Sequence, residues 1–86
     1  MKIIFQGVDP SKLQSHTLTI APNTQVNNIP TLIGYLNAYH DTQAFFKDNV
    51  LPPGMMCIIN GVDSCCGDGC VSAGDEIVFI NSLHGG

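Results

Sequence analysis

The sequence predicts an α+β fold in which a mixed sheet of four to five strands is crossed by one main helix. Three observations carry that expectation. Apolar, strand-like runs stand near both ends of the chain, at residues 2–5 and 76–80. Helical periodicity is present in one place, residues 29–40. Short segments bounded by proline, glycine and asparagine fill the rest, too finely divided for a helical bundle.

Each element has its own local signal. Residues 2–5 (Lys-Ile-Ile-Phe) form an apolar strand ending at Gln6-Gly7, and Val8-Asp9-Pro10-Ser11 carries turn chemistry. His16-Thr17-Leu18-Thr19-Ile20 alternates, with apolar side chains at 18 and 20, as a half-buried strand does. Together they predict an opening β-hairpin, with His16 on its solvent face. Pro22-Asn23 then breaks the strand.

Ile29, Leu32, Ile33, Leu36 and Tyr39 or His40 share one helical face. Asn27 or Asn28 can cap this helix, and Pro30 is tolerated only in its first turn. Gly34 costs roughly 0.5–1 kcal/mol against alanine, so packing must hold the helix. Phe45-Phe46 are expected beneath the connection that follows. Pro52-Pro53-Gly54 leads into Met55-Met56-Cys57-Ile58-Ile59, a continuous apolar run expected to be buried on both faces. Asn60-Gly61 is a strong hairpin signal. Residues 62–72 are irregular, with at most a short strand, and Ala73-Gly74-Asp75 turns into the last strand, residues 76–80. The first and last strands are both apolar enough to be central, and a helix can supply the crossover that parallel pairing needs. That arrangement is the β-grasp. It places a domain at residues 1–81 and a flexible tail at 82–86.

Composition excludes several functions. The chain has 86 residues, three lysines (Lys2, Lys12, Lys47), no arginine and a formal net charge of -4. Direct nucleic-acid binding needs clustered basic groups to displace counterions from phosphates, and an anionic membrane would repel this chain. No segment approaches the roughly 20 apolar residues of a membrane span, and the start lacks the apolar stretch of a secretory signal. The expected location is therefore cytoplasmic. The acidic balance suits a partner with a basic docking surface.

Four cysteines stand at Cys57, Cys65, Cys66 and Cys70. In a reducing compartment their default is the free thiol. Cys65, Cys66 and Cys70 have the reach of a zinc knuckle, but a closed zinc site needs four ligands, and Cys57 cannot be the fourth if it faces the core. A redox-responsive loop is equally open, because exposed neighbouring thiols oxidise. A flexible loop of reduced thiols is the favoured alternative. No catalytic signature is present, and scattered histidines such as His16 and His40 do not meet the geometric demands of acid–base catalysis. The sequence does not predict an enzyme.

The remaining feature is the end, Gly85-Gly86. With glycine near 7% of residues, two terminal glycines occur by chance in about 0.5% of chains. Lacking Cβ atoms, they can enter a narrow active site in extended form. A C-terminal carboxylate has a pKa near 3.5, so at neutral pH it is ionised and a poor electrophile until another enzyme activates it.

From Ile29 onward the chain resembles the ubiquitin-related modifier family, eukaryotic sulfur carriers with the β-grasp fold. Four stretches carry the resemblance: Ser82-Leu83-His84-Gly85-Gly86, the last strand with its leading Gly74-Asp75, residues 53–63 (Pro-Gly-Met-Met-Cys-Ile-Ile-Asn-Gly-Val-Asp), and the apolar helix at 29–36. The sequence departs from the family after Asp63, where Ser64-Cys65-Cys66 replaces a Trp-Glu-Leu-type segment. The resemblance implies that Gly86 is the site of thiocarboxylation and conjugation, and that Leu83, His84 and Gly85 form the tail recognised by an activating enzyme. That partner, an adenylating enzyme with a sulfurtransferase domain, would use ATP; the chain itself would bind no cofactor. Sulfur would pass through a tRNA thiolase to the wobble uridine of transfer RNA, and the same terminus could join lysines of target proteins through an isopeptide bond. Two alternatives stay open: a sulfur carrier for molybdopterin or thiamine synthesis, and a small cysteine-dependent metal or redox protein.

Overall fold

The computed structural model describes residues 1–7, 16–21, 25–40, 42–43 and 46–81. The expected turn at Val8-Ser11, the break at Pro22-Asn23, Phe45, and the tail residues Leu83, His84, Gly85 and Gly86 lie outside them. The described elements run in the order β1 (Lys2–Gln6), β2 (Thr17–Thr19), α1 (Ile29–Tyr39), β3 (Met55–Ile59), β4 (Val62–Asp63) and β5 (Glu76–Asn81). Short 3₁₀ turns occupy Lys47–Asn49 and Ser64–Cys66. One five-stranded sheet has the order β2-β1-β5-β3-β4, with β1 parallel to β5 and the other neighbours antiparallel. The first and last strands are central, as their apolar sequences predict.

Pairing follows the local chemistry. His16 stands exposed just before β2 and its carbonyl accepts from the amide of Phe5 at 2.8 Å. At the β3–β4 hairpin, Asn60 (φ 51°) and Gly61 (φ 84°) both have positive φ, which gives the two-residue turn that matches strand twist.

The helix begins where capping chemistry dictates. Asn28 is the N-cap: its Oδ1 accepts from the amide of Thr31 at 2.9 Å, and Thr31 Oγ1 accepts in return from the amide of Asn28 at 3.1 Å. Pro30 sits in the first turn, where its missing N–H costs nothing. His40 closes the helix through its backbone amide, which donates to the Leu36 carbonyl at 2.7 Å.

The core lies between the inner sheet face and α1. Ile3, Phe5, Ile77, Phe79 and Cys57 from the sheet meet Leu32, Ile33 and Leu36 from the helix, all nearly inaccessible to solvent. Phe46 joins them, its ring centroid 5.0 Å from Phe79, and Phe79 stacks on Phe5 at 5.5 Å. A polar clasp seats Phe46: buried Thr42 donates through Oγ1 to Asn37 Oδ1, and Asn37 Nδ2 donates to the Phe46 carbonyl, both at 2.7 Å.

Two expectations are corrected. Strand β3 is not buried on both faces, because α1 covers only one; Met56, on the other, is 40% exposed. Tyr39 is 71% exposed and does not share the buried helical face. Its ring lies 4.7 Å from that of Tyr35, and Tyr35, partly buried, packs against the core in its place. Residues 62–72 hold the short strand β4 and no longer one, as expected, and local bonds shape the rest: Asp63 and Asp68 each accept from a backbone amide two residues on, Cys70 bridges to Asn28, and Val71 is buried with its amide on the Asn27 carbonyl.

Candidate functional site at the exit of the last strand

Asn81 ends β5 and is the last described residue before the tail. Its position is fixed from two sides. Across the antiparallel ladder it pairs with Met55 of β3. On the other side β1 runs parallel to β5 through five matched pairs, Lys2 with Glu76 to Gln6 with Ile80. Gly7 follows Gln6 and lies against the Asn81 backbone: a Cβ there would sit 2.7 Å from the Asn81 carbonyl oxygen. The tail therefore starts from the middle of the sheet, at the most firmly paired strand.

The outer sheet face leads to the same exit. Side chains alternate along a strand and align across a ladder. Ile4, Val78 and Ile58 form one row across β1, β5 and β3, and Gln6, Ile80 and Met56 form the next, nearer Asn81. The four aliphatic residues of these rows are half-buried, and Met56 is exposed. Strand alternation in residues 2–6 and 76–80 holds the signal for this face, but the apolar residues at the outward positions Ile4, Val78 and Ile80 hide it among core residues.

At the opposite end of the sheet a polar lock joins the β3–β4 turn to the start of β5. Asn60 Nδ2 donates to Asp75 Oδ1 at 2.9 Å, and Asn60 Oδ1 accepts from the Glu76 amide at 2.9 Å. The Ser72 amide donates to Asp75 Oδ2 at 2.8 Å. The Asn60 and Ser72 hydrogen bonds hold the Asp75 carboxyl below the usual carboxylate range. Asn60 and Asp75 belong to the sequence stretches that carry the family resemblance, and here they are structural.

The cysteines divide sharply. Cys57 is buried, and burial pushes its thiol up to about 11, against a weaker opposing hydrogen bond from Ser64. It faces the core and is unsuited to be a ligand or nucleophile. Cys65, Cys66 and Cys70 are free and exposed. Cys70 lines a shallow depression with Asp63, Ser64 and Asp68; Cys65 and Cys66 do not. Among the described residues no three His, Cys, Asp or Glu side chains are gathered as a metal ion would require. No helix among them is long and apolar enough to cross a membrane.

Known proteins resemble this chain in sequence and in fold. A family model described as Urm1 (Ubiquitin related modifier) matches residues 4–86. "Ubiquitin-related modifier 1" of Mycosarcoma maydis is 37% identical over 87 residues, covering 90% of this chain and 80% of its own length. The solution structure of Urm1 from Trypanosoma brucei superposes with a TM-score of 0.73 at 22% identity, over 99% of this chain and 93% of that one. The crystal structure of Sulfolobus solfataricus Urm1 gives 0.66 at 16% identity, over 94% and 99%. At those identities the structures show a common fold. The family model takes in the tail as well as the β-grasp domain, and with the fungal relative it places this chain in the ubiquitin-related modifier family.

Proposed function

We propose that this chain is a sulfur carrier and protein modifier whose reacting group is the carboxylate of Gly86. The observation that carries the proposal is the Leu83-His84-Gly85-Gly86 terminus, one residue beyond a central strand, in a chain of this family. The chain contributes an arm and a surface, and an adenylating partner contributes the catalysis. The Gly86 carboxylate attacks the α-phosphate of ATP and pyrophosphate leaves. A persulfide sulfur on the partner then displaces AMP from the acyl adenylate. Attack by a second thiol on the resulting acyl disulfide releases the thiocarboxylate and leaves a disulfide on the partner, so atoms and electrons balance. Glycine serves because the acyl carbon must be approached without a neighbouring side chain in the way.

From the thiocarboxylate, sulfur passes in the cytosol to a tRNA thiolase for 2-thiolation of the wobble uridine. Attack by a target lysine on the activated terminus gives an isopeptide bond instead. Ile4, Met56, Ile58, Val78 and Ile80 form the face on which the activating enzyme docks, since they are the outward apolar side chains in the two rows nearest the exit.

Intact mass after incubation with the adenylating enzyme, ATP and a sulfur donor tests the proposal. Exchange of one oxygen for sulfur at Gly86 adds about 16 Da. The chain lacking Gly86 is expected to gain nothing. Absence of the gain in the wild type, or an equal gain without Gly86, overturns the assignment. Stoichiometric zinc that is lost on Cys66→Ser, with an inert terminus, would establish the cysteine-dependent alternative.

A further inference from the structure

We propose that the depression between β4 and residues 67–70 is a docking site for a basic partner segment: one aliphatic side chain enters it, and arginine or lysine side chains on either flank pair with Asp63 and Asp68. The site is built from residues 59–70 alone and stands whether or not Gly86 is activated.

The inner face of the sheet supplies the apolar part. Met55, Cys57 and Ile59 alternate onto that face of β3, and Val62 lies opposite Ile59 in the ladder, so it shares the face. Ile59 still packs against the core, whereas Val62 is 54% exposed. Packing therefore stops between them, and both line the depression, whose volume is about 170 Å³. An apolar cavity of roughly 150 Å³ takes in one benzene-sized group, so the space matches a single aliphatic side chain. Gly67 leaves its wall bare. With φ -117° the backbone there is open to any residue, and a Cβ would meet nothing within 4 Å. Neither conformation nor packing asks for glycine at that position.

The rim supplies the charge. Asp63 Oδ1 accepts from the Cys65 amide and Asp68 Oδ1 from the Cys70 amide, both at 2.9 Å. These bonds hold each carboxylate by one oxygen and leave the second without a hydrogen bond or ion pair among the described residues. The chain has no arginine and a formal net charge of -4, so its overall field favours the same cationic partner. Ile4, Met56 and Val78 point to the other face of the sheet, and both surfaces can be occupied at once.

The probes are blocked peptides with the sequences Gly-Arg-Leu-Arg-Gly, Gly-Arg-Ser-Arg-Gly and Gly-Glu-Leu-Glu-Gly, titrated into the full chain while its amide resonances are followed. The Arg-Leu-Arg peptide should shift the amides of Ile59, Val62, Asp63, Gly67 and Cys70 to saturation and leave those of Ile4 and Val78 in place. The serine and glutamate peptides should bind at least roughly fivefold more weakly. Bound Arg-Leu-Arg peptide should also slow alkylation of Cys70 more than that of Cys65 or Cys66, which lie outside the depression. Two variants separate the contributions without disturbing the fold. Asp63→Asn with Asp68→Asn keeps both Oδ1 acceptors and removes only charge, and Val62→Thr keeps the branched shape and removes apolar surface. Each should weaken the Arg-Leu-Arg peptide roughly fivefold. Equal binding of the leucine and serine peptides, indifference to the paired asparagine variant, saturable shifts at Ile4 and Val78 in place of the depression, or no saturable shift at all overturns the proposal.

Discussion

Asp75 and Cys57 show how the same fold drives two ionisable groups in opposite directions. Asp75 gains hydrogen bonds from Asn60 and Ser72 only when folded, and its carboxyl titrates lower than in the unfolded chain. A depressed folded value means the stabilisation is fully present above the unfolded carboxylate pKa, near 3.9, and is lost as pH falls through the folded value. Asp75→Asn should therefore lower stability at neutral pH and flatten its decline in acid, so that the gap from wild type closes as the solution passes below about pH 4. Denaturant titrations at stepped pH values measure this; a gap that is constant with pH rules it out. Cys57, with its thiol raised to about 11, should resist iodoacetamide at neutral pH. Mass spectrometry should find three adducts on the native protein, at Cys65, Cys66 and Cys70, and a fourth only after unfolding. Rapid native labelling of Cys57 would contradict its placement in the core.

Among the elements, α1 depends most on its start. Asn28 and Thr31 satisfy each other's backbone amides, and Asn28 also bridges to Cys70. Asn28→Ala should cost about 1 kcal/mol in equilibrium unfolding, while Asn27→Ala should cost much less, since Asn28 is the cap. Much of this was legible in the residues. Capping chemistry put the boundary at Asn28, Asn60-Gly61 marked the hairpin, and period-2 or continuous apolar runs marked β1, β2, β3 and β5. What escaped was set by tertiary context. Tyr35 and Tyr39 stand four residues apart on one side of the helix, and periodicity does not say which of them meets the sheet. The run at 55–59 cannot reveal that α1 packs on one face of the sheet. Val26 and Val71, each in a stretch with no periodicity, are buried where residues 70 and 71 pair with Asn28 and Asn27 at the helix N-terminus. The terminus was legible as chemistry through Leu83-His84-Gly85-Gly86, whereas Gly7 read only as the end of a strand, because its neighbour Asn81 is distant in sequence and adjacent only through the parallel pairing.

At the scale of the whole molecule, recognition and reaction fall on different parts. In the proposed function the outer apolar face gives a surface for docking, and the terminus gives the reacting carboxylate. Met56→Asp adds a charge at an exposed position, where substitutions typically change stability by less than about 0.5 kcal/mol. It should raise KM for the activating enzyme roughly tenfold or more, as loss of a central interface contact does, with kcat little changed. Unaltered KM would move the docking surface elsewhere. The two-sided fixing of Asn81 also sets a limit on any enzyme that uses this chain. From Asn81 to Gly86 there are five residues, a leash of at most about 17 Å at full extension. An activating site sunk deeper than that beneath the surface on which the domain rests is out of reach. The depth of the partner's cleft is thus bounded by this small domain, and each residue inserted after Asn81 would deepen the admissible cleft by about 3.4 Å.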